Sequence, residues 1–141
     1  MGLLWLLSVS TAASGFSLTS PDRPAVWFNR AGDKLNEQLS WDSSKQELIY
    51  YVAYNRTENM PTRDQTLYDT FQLSFPMVRL DASSNLLYFI GKGGHRITIG
   101  HLESGFFGTQ VVLNDDVQLF EDRTDGIVRA TIATVGRARD K

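Results

Sequence analysis

From residue 38 to residue 135, short runs of alternating apolar and polar residues recur about every 8–12 residues, with turn-forming clusters between them. The runs fall at 39–41, 47–54, 71–75, 77–80, 86–90, 96–102, 109–113, 117–120 and 127–135. Between them lie Asp42-Ser43-Ser44-Lys45, Asp81-Ala82-Ser83-Ser84-Asn85, Gly91-Lys92-Gly93-Gly94 and Asn114-Asp115-Asp116, and Asp125-Gly126 is a favoured hairpin dipeptide. A side-chain period of two cannot make an amphipathic helix. The cadence predicts an all-β chain: a single antiparallel β-sandwich, or a barrel-like Greek-key or meander relative, of about eight strands. One short helical turn is expected near 31–38, with Asp33 as cap and Leu35 facing inward. Pro76 cannot donate to a ladder, so it marks an edge, a bulge or a bend from one sheet to another.

The run 47–54 differs from the others because both of its faces are apolar. Tyr50, Val52 and Tyr54 share one face; Ile49, Tyr51 and Ala53 share the other. Such a strand is expected at the centre of a sheet and covered on each side. The polar interval 55–66 is the longest loop, and loops of that length often carry function. Asn55-Arg56-Thr57 inside it matches the N-glycosylation triplet, which means nothing in a bacterial product. Residues 137–141 read as a frayed tail.

Ahead of the cadence, residues 1–21 hold no charged side chain. Leu3-Leu4-Trp5-Leu6-Leu7 fades into Ala12-Ala13-Ser14-Gly15, an apolar run followed by the small residues a signal peptidase reads. Residues 1–14 are expected to be a cleaved signal peptide, and 15–136 one β domain with no stable membrane span. The 141 residues contain no cysteine, which removes disulfides, thiol chemistry and cysteine-held metals. An exported domain without disulfides points to a bacterial periplasmic or extracellular protein, expected to be a monomer. Fourteen basic against sixteen acidic residues give a net charge of −2, without the basic excess a nucleic-acid binder uses.

No complete catalytic set is visible. His95 and His101 lie six residues apart on an extended segment, about 20 Å, too far to share a metal ion. Gly91-Lys92-Gly93-Gly94 lacks the leading glycine, the hydroxyl residue and the helix of a phosphate loop. Five carboxylates between Asp115 and Asp125 suit turns better than Ca²⁺ binding. A small carbohydrate-active hydrolase using Asp116 and Glu121 is one alternative.

The strongest candidate is aromatic. Trp27, Phe28, Trp41, Tyr50, Tyr51 and Tyr54 cluster in sequence, and exposed tryptophan and tyrosine make stacking platforms for sugars or apolar partner side chains. Equally, such residues fill sandwich cores. The sequence reading is a non-catalytic exported module binding a glycan or an envelope protein through Trp27, Trp41, Tyr50 and Tyr54, with no cofactor and no metal. A structural or assembly component of the cell envelope, with an exposed strand edge and no small ligand, is the other alternative.

Overall fold

The computed structural model describes residues 15–24, 34–55, 68–106, 108–124 and 126–136. The expected signal peptide, Trp27 and Phe28, most of the 55–66 loop and the 137–141 tail lie outside the described residues. Eleven strands are present among those described: β1 (Ser17–Thr19), β2 (Arg23–Pro24), β3 (Lys34–Asp42), β4 (Glu47–Asn55), β5 (Tyr68–Phe75), β6 (Arg79–Asp81), β7 (Leu86–Ile90), β8 (Arg96–Gly105), β9 (Gly108–Leu113), β10 (Val117–Thr124) and β11 (Ile127–Thr134). Every pairing is antiparallel. The strands form three sheets, β1–β11–β10 with β2 also on β11, β3–β4–β5, and β6–β7–β8–β9. They do not close into a barrel, and the architecture is an all-β sandwich.

Eleven strands exceed the expected eight mainly because β1 and β2 precede the region where alternation is regular. Among the described residues a single 3₁₀ turn, Lys92–Gly94, is the one helical element, and no helix there is long and apolar enough to cross a membrane. The helical turn expected near 31–38 is corrected over 34–38, which belong to β3. Leu35 there is 45% exposed rather than inward. Pairing with β4 from Lys34↔Tyr54 to Asp42↔Glu47 overrides the local cap signal.

Register decides which face of β4 is inside. Phe71, Leu73 and Phe75 of β5 stand opposite Val52, Tyr50 and Leu48, and Leu39 and Trp41 of β3 stand opposite Tyr50 and Leu48. These residues share one core with Val78, Leu87, Phe89, Ile99, Val117, Val128, Ala130 and Ile132. The opposite face of β4 is only partly covered: Ile49 is buried, whereas Tyr51 and Ala53 are half-exposed. β4 is therefore central in its sheet, as expected, but covered fully on one side.

Three irregular points show how the chain bends, kinks or changes sheets. Pro76 sits in the turn between β5 and β6, which belong to different sheets, so the proline marks a sheet-switching bend. Ser20 follows β1, where its amide donates to the Ala130 carbonyl and its hydroxyl accepts from the Ala130 amide; the residue is 2% exposed. At Gly100 the β7–β8 register slips, and a Cβ there would fall onto the Val112 carbonyl and the Leu113 Cα of β9. Gly100→Ala is expected to cost about 1–3 kcal/mol in chemical denaturation, because backbone rather than a flexible side chain must move.

Candidate functional site: the outer face of the β3–β4–β5 sheet

The outward residues of this sheet form three rows fixed by register. Asn36, Ala53 and Thr70 make one, Gln38, Tyr51 and Gln72 the next, and Ser40, Ile49 and Ser74 the third. Asn36, Gln38, Thr70 and Gln72 are exposed, and Ser40, Tyr51 and Ser74 are half-exposed. Neighbouring strands lie about 4.8 Å apart and same-face residues about 6.7 Å, so the face is a grid with spacings on the scale of a pyranose ring. One aromatic ring lies at its centre with a carboxamide on each side. Carboxamides and hydroxyls both donate and accept, which matches the mixed donor and acceptor pattern of sugar hydroxyls. A groove of about 440 Å³ continues the face toward the Ser43–Lys45 turn, with Ile49 in its lining and Thr70, Gln72 and Ser74 along β5.

The aromatics expected to form the platform occupy other positions. Tyr50 and Tyr54 are 2% and 0% exposed and lie in the core. The Tyr54 ring is covered by the Arg123 guanidinium, 4.1 Å from its centroid. The exposed-platform expectation is therefore corrected for both, because β4 turns its even-numbered face inward. Trp41 is half-buried on that same inner face and packs against the core. Its indole Nε1 is buried without a hydrogen-bond partner among the described residues. Trp27 lies outside the described residues. The aromatic that does face outward is Tyr51, a member of the sequence cluster that alternation alone could not set apart from its neighbours.

A polar cluster joins this sheet to β10 on the inner side. Tyr50 Oη lies 2.6 Å from Glu37 Oε1 and 2.8 Å from Glu121 Oε1, and Lys34 Nζ lies 2.7 and 3.2 Å from the same two oxygens. Burial and the two carboxylates push the Tyr50 phenol well above the usual phenol range, so it acts as a hydrogen-bond donor only. Hydrogen bonds from Lys34 and Tyr50 hold Glu37 below the usual glutamate range, and Lys34 is raised by its bond to Glu37. Stability from Glu37 is present above its unfolded value of about 4.3 and is lost as pH falls through its lower folded value. Stability from Lys34 is held below its unfolded value of about 10.4 and lost as pH rises through the higher folded value. Glu37→Gln is thus expected to lessen the fall in melting temperature between pH 5 and pH 3, read by thermal scans at each pH.

The carboxylates singled out in the sequence do not meet. Asp116 lies at the β9–β10 turn, and Glu121 points into the Tyr50 cluster about 16 Å along the extended chain. Asp116 instead lines a second groove, of about 880 Å³, at one end of the sandwich. Phe16 and Phe89 meet edge-on there with centroids 5.0 Å apart, and Lys92 and His95 stand in the lining. His101 lies 3.0 Å from Glu103 on the exposed part of β8.

Comparison with protein-family models, with curated proteins and with solved structures finds no match to this chain.

Proposed function

We propose that the protein is an exported, non-catalytic glycan-binding module whose recognition surface is the outer face of the β3–β4–β5 sheet. The observation that carries this reading is the Gln38–Tyr51–Gln72 row, a half-exposed ring between two exposed carboxamides on the outer face of the sheet. A sugar ring stacks its apolar face on Tyr51 and exchanges hydrogen bonds with the flanking amides and the hydroxyls of Ser40, Thr70 and Ser74. The leader-like residues 1–14 support export, and the periplasm or the extracellular space is where such a module meets polysaccharide.

Docking of an envelope protein by strand addition is the second reading, and β5 does end its sheet. Arg23 Nη1 already donates to the Gln72 carbonyl of β5 at 3.1 Å, which occupies an acceptor that an added strand would use. The glycan reading is therefore preferred. A glycan-array screen of the full chain tests it: wild type is expected to retain a restricted set of saccharides. A folded sample that retains none would contradict the proposal.

A further inference from the structure

We infer that the saccharide carries carboxylate groups, which Arg23 and Lys45 read from the groove beside the tyrosine row; this rests on the glycan reading above. Ile49 lines this groove and belongs to the same outward face as Tyr51, about 7 Å away along β4. One sugar unit on Tyr51 therefore places the next in the groove, whose floor is the buried Ile49, against Thr70, Gln72 and Ser74. The two cations stand in the lining of that second position.

Lys34, Arg96 and Arg129 each lie 2.7–2.9 Å from a carboxylate. No ion pair among the described residues involves Arg23, Lys45 or Glu47. Arg79 and Lys92 also form no ion pair among the described residues, but Arg23 and Lys45 line one groove together. The groove lining thus holds two cations and one carboxylate, Glu47, with Asp42 acting on Lys45 from the adjoining turn, in a chain whose net charge is −2. Arg23 is also oriented: its Nη1 bond to the Gln72 carbonyl fixes one corner of the guanidinium on β5 and leaves the other donors of the fork for a ligand. A planar guanidinium matches a planar carboxylate by two parallel hydrogen bonds, and Lys45 adds a second positive charge without a geometric demand. Glu47 accepts hydrogen bonds from sugar hydroxyls on the same unit.

The test titrates the full chain calorimetrically with a uronic-acid tetrasaccharide and with its carboxyl-reduced neutral counterpart, at low salt so that screening does not hide the effect. The acidic form is expected to bind roughly tenfold more tightly, an advantage that shrinks with added salt. Arg23→Gln combined with Lys45→Gln is expected to abolish that advantage while leaving affinity for the neutral form in place. Equal affinity for the two forms, or an acidic preference that survives the double substitution, overturns the charge assignment and leaves the glycan reading standing. Failure of both saccharides to bind, with Tyr51→Ala indistinguishable from wild type, brings down the glycan reading itself.

Discussion

Replacing Tyr51 by alanine is expected to weaken saccharide binding about 30-fold, the loss of about 2 kcal/mol typical of an aromatic anchor at the centre of a contact. The flanking carboxamides lose their common reference surface at the same time, because the ring fixes the height at which a sugar lies. Stability is expected to fall by only about 1 kcal/mol, since the side chain is half-exposed and outside the core cluster. Trp41→Ala is the informative control. Trp41 packs against the core from β3, so its truncation lowers stability and leaves affinity of the folded fraction unchanged. Isothermal titration paired with thermal melts separates the two outcomes, and the opposite pattern would place the platform on the inner face.

Leu73→Ala is expected to cost about 3 kcal/mol of folding stability, whereas Gln72→Ala, one residue earlier, is expected to stay within about 0.5 kcal/mol. Leu73 is 1% exposed, stands opposite Tyr50, and leaves a cavity on truncation that the surrounding aromatics cannot collapse into. Gln72 stands opposite Tyr51 on the solvent side and forms no part of the core. For a domain of ordinary stability, about 5–15 kcal/mol, the first change removes a large share of the total and lowers the melting temperature on the order of 10 °C. Urea denaturation of both variants checks the assignment of faces directly. Similar costs for the two would mean that the sheet is not covered on one side only.

The fold was legible where alternation was clean and ambiguous where it was not. Phe71, Leu73 and Phe75 alternate with Thr70, Gln72 and Ser74, so β5 announces its buried face by itself. β4 does not, because Ile49, Tyr51 and Ala53 are as apolar as Tyr50, Val52 and Tyr54. A one-residue shift of register exchanges the two sets completely. The notion of a tyrosine platform on β4 came from the residues; which tyrosine faces out is decided by pairing with β5, a tertiary fact. Combining β5's alternation with β4's pairing supplies the missing signal, and it selects Tyr51 over Tyr50 and Tyr54. The helical turn expected at 31–38 gave way over 34–38 for the same reason, since Leu39 and Trp41 must face the core opposite Tyr50 and Leu48. The meeting of Glu37 with Glu121 joins residues from distant strands, and no spacing rule on a single strand could reveal it.

Amide chemical-shift mapping of the ¹⁵N-labelled full chain during saccharide titration tests the central claim most directly. Saturable shifts gathered on β3, β4 and β5 around Gln38, Tyr51 and Gln72 are the expected result. Shifts gathered instead around Phe16, His95 and Asp116 at the end of the sandwich, or no shifts with any saccharide on the array, would contradict it.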